Sequence, residues 1–354
     1  MIMTNENIFW KKKEIVSFIL SVLVFFVHIS SFAQYSNTGN LISTINEKAS
    51  FFFKESITSF AVPMFYILSG ISFYKNYDNS KYLNKIKSRV FTIIIPYLLW
   101  NTIWMIFDII CSYSFLSKYF VGREQFAVTF TNVLKGIFLY ECNGPFWFIY
   151  KLIIFSLAAP LIYTVIRNKY IGIASIGILT VFVIVGKRLF PSTFSFPTSI
   201  MFYLVGAIIG KHYFDYTLKK SSKVVQCLSI VVLFTYIILK NLFAPQIQSL
   251  ESFLPIVTYT ILGFALWSIL DLFIDKMKTK KVYSRSFAIY AMHVNISAII
   301  TKLVFIVSPK REWMAIPNFF ATVILTLLFI HLVCSIGERF FPRVYSILMG
   351  ERVS

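Results

Sequence analysis

The chain is 354 residues long; 57% of its residues are hydrophobic and only 14% are charged. A soluble domain carries nearer a quarter charged residues, so the composition excludes an ordinary soluble protein. Apolar runs long enough to cross ~30 Å of hydrocarbon recur along the chain without alternation, which favours membrane helices over a β-barrel. The net charge of +19 would suit nucleic acid, but the basic residues lie mainly in gaps between apolar runs, where they orient spans and meet lipid head groups. We expect an all-α integral membrane protein that contacts membrane lipid and binds no nucleic acid.

Apolar runs of about 17 to 25 residues predict about ten transmembrane helices. The predicted spans are 15–34, 60–76, 90–112, 146–166, 171–187, 198–213, 223–243, 255–274, 286–307 and 314–337. Basic residues are concentrated in alternate gaps, which predicts that the amino and carboxyl ends are both cytoplasmic. We expect one membrane domain over 1–354, with a cytoplasmic N-terminus at 1–14, a helix bundle at 15–337 and a cytoplasmic tail at 338–354.

The first apolar run also allows a second interpretation. Lys11 to Lys13 precede it, and Ser31 to Ala33 resemble a small-residue cleavage site, as in a secretory signal peptide. The run is long and many spans follow it, so we interpret it as the first helix.

Two long segments, 35–59 and 113–145, are predicted to lie outside the membrane as connections between spans. Extended connections of this kind often bind ligands. The second contains Glu141 and Asn143 and leads through a Gly-Pro turn to Trp147. These three residues are candidates for binding a substrate, although Trp147 also suits an interfacial aromatic belt.

Ionisable groups inside apolar spans are costly and are therefore candidates for function. His28 lies fifteen residues beyond Lys13, or ~22 Å along the helix towards the outer face. A neutral imidazole there can act as a general base; the alternative is a histidine satisfied by a neighbouring helix. His293 follows Arg285 by eight residues, ~12 Å from the inner boundary, which predicts a position nearer the cytoplasm than His28.

A cationic patch leads into the third predicted span. Lys85, Lys87 and Arg89 could bind phosphate groups, with Arg89 best suited to a bidentate contact. Basic residues in such gaps also occur simply because they fix topology. The four cysteines have no metal-ligand spacing, and we expect no metal site.

Four separated patches together resemble the transmembrane acyltransferase type 3 family, which includes bacterial O-acyltransferases of surface polysaccharides. They are Val24 to His28, Val62 to Gly70, Lys85 to Trp100, and Phe287 to His293. They occur in the family's order, and the resemblance covers nearly the whole chain. At one position the sequence departs: members carry Arg or Lys eleven residues before the first-span histidine, and here that residue is Ser17.

The resemblance implies a multi-pass enzyme of the bacterial cell membrane. It would transfer an acyl group, usually acetyl, from cytoplasmic acyl-CoA (acetyl-CoA) to a hydroxyl of an extracytoplasmic saccharide. In that scheme His28 is the general base, His293 orients the donor arm or the imidazole, the cationic patch holds the nucleotide phosphates, and Ser69-Gly70 admits the donor arm. An exporter or flippase of a polysaccharide or lipid-linked sugar, and a non-catalytic partner of a glycan synthase, are the alternatives.

Overall fold

The computed structural model describes residues 5–35, 41–114, 125–189, 195–278 and 280–351, and every regular element in those ranges is a helix. The predicted all-α membrane fold is thus confirmed. The α-helices in chain order are α1 Asn5–His28, α2 Leu41–Phe51, α3 Ala61–Tyr74, α4 Tyr82–Arg89, α5 Ile95–Tyr113, α6 Phe130–Phe138, α7 Trp147–Leu157, α8 Ala159–Ile166, α9 Lys169–Leu189, α10 Ser195–His212, α11 Phe214–Thr217, α12 Lys223–Leu242, α13 Ala244–Phe253, α14 Pro255–Ile269, α15 Lys281–Ser284, α16 Ser286–Val307, α17 Ala315–Phe340 and α18 Pro342–Met349.

Eight helical segments among the described residues are long and apolar enough to cross a membrane, or nine if the bent pair Gly144–Leu157 and Ala159–Ile166 forms one span. These nine correspond to nine of the ten predicted spans. The tenth prediction, 198–213, is helical as α10 but is not among the segments of sufficient length and hydropathy. Its last turn contains Lys211 and His212, which lower its hydropathy.

The chain separates into two compact units. The first contains Met1–Asn79 and Pro160–His331, and the second contains Ser80–Ala159 and Leu332–Ser354. Helix α17 contributes its first part to one unit and its last turns to the other.

In the first unit, α10 lies directly against α3 because glycines remove side chains from the contact. A Cβ at Gly206 would lie 2.0 Å from the Ile67 carbonyl oxygen, and one at Gly210 would lie 2.5 Å from the Ile71 carbonyl oxygen. The spacing of Gly206 and Gly210 is the small-xxx-small pattern that lets membrane helices approach closely. From the α3 side, a Cβ at Gly70 would lie 2.4 Å from the Tyr203 carbonyl oxygen.

The described part of the segment predicted as an outer connection, 35–59, is largely helical, which the hydropathy pattern did not predict. α2 continues into a π-helical turn, Phe52–Ser56, which we call the π turn, and the chain then enters α3. Leu41 to Tyr74 together form one apolar helical segment of 34 residues. Glu47 and Lys48, which are exposed on α2, lower its hydropathy although both residue types favour a helix.

The second unit is built around α5. Tyr97 donates a hydrogen bond to the Phe138 carbonyl (2.8 Å) and Asn101 donates one to the Ile137 carbonyl (3.1 Å), which fixes α6 against α5. Trp100 donates to the Leu348 carbonyl at 3.0 Å, so α18 in the predicted tail packs on the same helix. The chain leaves α18 at Gly350, whose φ of 65° favours glycine.

Candidate active site

The site in the first unit is a pair of histidines on adjacent helices. His28 is the last residue of α1, its side chain is exposed, and its ring centroid lies 5.1 Å from that of His293 on α16. Phe18 contacts Tyr283 with ring centroids 5.5 Å apart, and the Ser21 hydroxyl donates to the Ser286 carbonyl at 3.2 Å. Residue numbers rise together along both helices, so α1 and α16 run parallel and place the two rings side by side.

This geometry corrects the predicted depth of His293. Counting from Arg285 as an inner boundary placed His293 nearer the cytoplasm than His28. Arg285 is only 3% exposed, and it lies beside the middle of α1, since its neighbour Ser286 contacts Ser21. The guanidinium donates to the His331 carbonyl at 2.8 Å and lies 2.5 Å from His331 Nδ1. Arg285 is therefore a buried residue, and the two histidines lie at the same level.

The hydrogen bonds of His293 define its tautomer. Nδ1 lies 2.9 Å from the carbonyl oxygens of both Ile289 and Tyr290, and a carbonyl can only accept, so Nδ1 carries the proton. The residue is fully buried, and Nε2 has no hydrogen-bond partner among the described residues. In the neutral ring, Nε2 is then an acceptor without a donor, beside His28.

Aromatic rings surround one side of the pair. The Phe25 ring centroid lies 5.8 Å from that of His293, and the Tyr290 centroid lies 6.0 Å away. Phe25 also belongs to a buried cluster with Ile29, Phe32 and Phe319. Apolar packing of this kind excludes water from the side of the imidazoles that faces the helix bundle.

An open cleft of about 380 Å³ lies beyond the carboxyl end of α1. It is formed by a 3-10 turn (Ser31–Gln34), by α2 and by the π turn. Its lining residues are Phe32, Ala33, Ser43, Asn46, Glu47, Ser50, Phe51, Lys54 and Glu55. None of the residues predicted for the site lines this cleft; its signal in the sequence is the pair Lys54-Glu55 within an otherwise apolar stretch.

Ser17, which stands where family members carry Arg or Lys, makes a local backbone contact, and the nearby lysines of α1 have contacts of their own. Ser17 is half-buried, and its carbonyl accepts the hydroxyl of Ser21 at 2.9 Å. Of the lysines below it on α1, Lys12 forms a buried ion pair with Asp271 at 2.6 Å, and the Lys13 ammonium lies 5.2 Å from the Trp10 ring centroid.

The three cations proposed for phosphate binding lie in the second unit on α4, on two faces of the helix. Residues two apart differ by about 200° around a helix, whereas residues four apart share a face. Arg89 adjoins Ile153 and Leu157 of α7. Lys87 instead lines a groove of about 1230 Å³ between the α4–α5 segment and α18. Lys85 is one turn before Arg89 and lies on the same face of α4. Lys87 lies on the other face, so the three cations do not form one cluster.

The groove beside Lys87 has a polar end and an apolar wall. Asn84, Lys87, Ser88 and Glu351 form the polar end. The rest of the lining is mainly apolar, along Phe91, Ile95, Leu99, Ile103, Val344, Ile347 and Leu348.

The predicted substrate-binding residues also lie in the second unit, and the side chains of Glu141 and Trp147 already have local contacts. Glu141 is exposed and forms an ion pair with Lys135 at 3.5 Å. The Lys151 ammonium lies 4.4 Å from the Trp147 ring centroid, as in a cation–π contact. Asn143 is 3% exposed, and its Nδ2 has no hydrogen-bond partner among the described residues.

Ser69 and Gly70 belong to the first unit, on α3. Ser69 is half-buried, and the close backbone approach at Gly70 is made by α10. Within the described ranges, no group of three His, Cys, Asp or Glu side chains could hold a metal ion.

A family model described as an acyltransferase domain matches residues 16–334. The match includes the second half of α1, both histidines and the cationic patch on α4. The resemblance inferred from the four sequence patches is thereby confirmed. No curated protein and no solved structure matches the chain.

Proposed function

The chain belongs to this acyltransferase family and is a multi-pass membrane acyltransferase; from that premise, we propose that it moves an acyl group from acyl-CoA to a saccharide hydroxyl with His28 as general base. The single observation that carries the proposal is the pairing of His28 with His293. An exposed imidazole lies beside a buried one whose proton is held by backbone carbonyls. Such a pair can accept one proton from the attacking hydroxyl and return it to the leaving thiolate, as the transfer of an acyl group from sulfur to oxygen requires.

In the proposed reaction, His28 removes the proton from the acceptor hydroxyl while the hydroxyl oxygen attacks the carbonyl carbon of the thioester. The tetrahedral intermediate then collapses, the carbon–sulfur bond breaks, and the coenzyme A thiolate leaves. The proton on His28 passes to that thiolate. The products are an ester and free coenzyme A, and His28 is neutral again.

His293 would position His28 in this scheme. Its Nδ1 proton is committed to the Ile289 and Tyr290 carbonyls, so Nε2 can accept a hydrogen bond and cannot donate one while the ring is neutral. A proton on the facing nitrogen of His28 would be drawn to Nε2 by a small ring movement. That hydrogen bond would leave the other nitrogen of His28 unprotonated towards the acceptor.

The donor would be bound through its phosphates by Lys85, Lys87 and Arg89, which supply charge on two faces of α4. We retain Ser69-Gly70 and the second-unit residues Glu141, Asn143 and Trp147 as proposed contacts for donor and acceptor. An increase in the KM for acyl-CoA in Arg89→Ala that is absent in Arg343→Ala would support the phosphate assignment; equal effects would remove it. We further propose acetyl as the acyl group and the bacterial cytoplasmic membrane as the location, with both chain ends cytoplasmic.

The first test measures ester-linked acyl groups on the surface glycans of the host. The native strain, a deletion strain, and the deletion complemented with wild type, His28→Ala or His212→Gln are compared. His212 is a suitable control because its Nε2 lies 2.7 Å from the Ile166 carbonyl and is part of local structure. Esters should be lost on deletion, restored by wild type and by the control, and absent with His28→Ala at equal membrane abundance.

Two other results would decide against this proposal. Restored esters with His28→Ala would remove its role as base. Unchanged esters in the deletion strain, together with a fall in exported glycan, would favour an exporter of polysaccharide or lipid-linked sugar.

A further inference from the structure

The cleft beyond the end of α1 has the composition of a sugar site. Lys54 supplies a hydrogen-bond donor and Glu47 an acceptor, and Phe32 and Phe51 supply apolar rings. Saccharides need such a mixture, because hydroxyl groups both donate and accept while the ring faces are apolar. The volume of about 380 Å³ is at the lower end of the ~300–1,000 Å³ usual for small-molecule sites, which suits a short stretch of glycan.

The charged side chains of the cleft form no ion pairs within the described part of the chain. Lys54 is half-buried, yet no carboxylate of the described residues lies within ion-pair distance of its ammonium. Glu47 and Glu55 line the same cleft and likewise have no ion pair in the described part of the chain. Charged side chains that face a cavity without pairing there are available to a ligand.

Polar atoms beside the cleft are also unsatisfied. Ser31 is fully buried and its hydroxyl has no hydrogen-bond partner within the ranges described. The Gln34 side-chain oxygen is also buried and has no hydrogen-bond partner among the described residues. Both residues belong to the 3-10 turn that carries Phe32 and Ala33 into the cleft wall. Unmade hydrogen bonds of this kind are costly, and a bound polar ligand or its water would supply them.

The cleft adjoins His28 through the π turn. α1 packs against this turn, and Phe26, two residues before His28, has its ring centroid 6.4 Å from that of Phe53, the residue before Lys54. π-helical turns within longer helices frequently mark functional sites, because the extra residue redirects the side chains of one turn. Here that turn contains Lys54 and Glu55.

We propose that this cleft binds the acceptor saccharide and presents one of its hydroxyls to His28, with Lys54 donating to a sugar oxygen and Glu47 accepting from a sugar hydroxyl. The proposal rests on the acyltransferase mechanism above and adds the acceptor's place and chemistry. With two carboxylates and one ammonium, the cleft favours a neutral or amino sugar over a uronic acid or a phosphorylated sugar, which Glu47 and Glu55 would repel.

The test uses full-length protein in detergent and oligosaccharide fragments of the host's own surface glycan. The fragments are stripped of esters and separated by ion exchange into acidic and non-acidic fractions. Binding is measured without donor by saturation-transfer NMR, and acyl transfer is measured with acetyl-CoA. The variants are Lys54→Gln, Glu47→Gln and Ser50→Phe, whose ring would occupy the cleft. Lys48→Gln is the matched control, since Lys48 is exposed on α2 but does not line the cleft.

Lys54→Gln and Glu47→Gln should each raise the KM for the non-acidic fragments by about 10-fold, as expected for one lost charged hydrogen bond, without changing the KM for acetyl-CoA. Ser50→Phe should abolish fragment binding, and Lys48→Gln should leave all values unchanged. His28→Ala should still bind the fragments.

The outcomes separate the two proposals. If transfer requires His28 but the two conservative cleft variants leave fragment binding and acceptor KM unchanged, the cleft assignment is overturned and the proposed function stands. If His28→Ala transfers normally while the cleft variants lose binding, the mechanism fails and the saccharide site stands. Binding restricted to the acidic fraction would overturn the proposed acceptor chemistry.

Discussion

The function of the histidine pair depends on individual nitrogen atoms. His293 is held by two backbone carbonyls, so its ring cannot rotate freely, and its centroid lies 5.1 Å from that of the His28 ring. His28 has freedom that His293 lacks, because it ends its helix and its side chain is exposed. A mobile base beside a fixed acceptor is a reasonable arrangement for taking a proton from one substrate and returning it to another.

His293→Phe tests this division of roles. Phenylalanine retains the ring volume but removes Nε2, so His28 would lose the partner that orients it. We expect kcat for acyl transfer to fall by about 10²-fold, with little change in the KM for acyl-CoA. His293→Gln, which retains a polar group in the same space, should recover part of the loss. Equal KM and kcat effects, or equal loss in both variants with loss of folded protein, would indicate that His293 is only structural.

A second residue-scale prediction concerns the buried pair of Lys12 and Asp271. Both side chains are 3% exposed, and Asp271 also accepts hydrogen bonds from the backbone N–H and hydroxyl of Ser221 at 3.0 and 2.8 Å. Lys12→Met would leave a buried carboxylate without its cation. We expect the free energy of unfolding to fall by ~3–5 kcal/mol, and Lys12→Met with Asp271→Asn to recover part of it.

Thermal unfolding in detergent measures this effect. The control is Lys220→Met, because the Lys220–Asp275 pair is exposed on both sides and should contribute only ~0–1 kcal/mol. Similar shifts in the two single variants would show that burial of the Lys12 pair has no special importance.

At the scale of helices, glycines allow a close backbone approach between α3 and α10. Gly206→Ala would place a methyl group 2.0 Å from the Ile67 carbonyl oxygen, so the helices must separate. Overpacking of this kind lowers the free energy of unfolding by ~1–3 kcal/mol. Gly177→Ala on α9 is the matched control, because nothing lies within 4 Å of its Cβ and alanine stabilises a helix by up to ~1 kcal/mol relative to glycine. Opposite shifts in unfolding temperature are expected; a neutral Gly206→Ala would contradict the close packing.

The sequence predicted helices well where hydropathy and helical propensity agree, as in α1, α5, α16 and α17. It failed at α2, since a polar helix and a polar loop have the same hydropathy. It also treated Lys85, Lys87 and Arg89 as one patch, although residues two apart on a helix point in different directions. His28 and His293 were identified individually, but their pairing depends on how far α16 is shifted along α1. No property of a single helix specifies that shift.

The same limit applies to the cleft. Its residues come from the 3-10 turn, from α2 and from the π turn that continues it, and the cleft forms because α2 packs against the 3-10 turn. Lys54 and Glu55 could have been noticed as charges within an apolar segment. The orphaned hydroxyl of Ser31 could not, because burial of a serine is a tertiary property.

At the scale of the whole molecule, the number of spans determines which side of the membrane each end occupies. Eight spans or ten spans place both ends on one side, whereas nine place them on opposite sides. If both ends lie on the same side, then either the bent pair at 144–166 and α10 both cross the membrane or neither of them does. Arg167 and Lys169, between α8 and α9, favour the ten-span arrangement, because basic residues concentrate in cytoplasmic gaps.

Asn168 distinguishes the two arrangements, since it is cytoplasmic with ten spans and external with eight. Asn168→Cys, made in a Cys227→Ser background to remove the exposed native thiol, should resist a membrane-impermeant maleimide in intact cells and react after permeabilisation. Two controls are independent of the span number, because both arrangements place Gln125 outside and Lys276 in the cytoplasm. Gln125→Cys should therefore react in intact cells, and Lys276→Cys should not. Labelling of Asn168→Cys in intact cells would mean that neither the bent pair nor α10 crosses, and the first unit would then contain an α10 that packs on α3 without spanning the membrane.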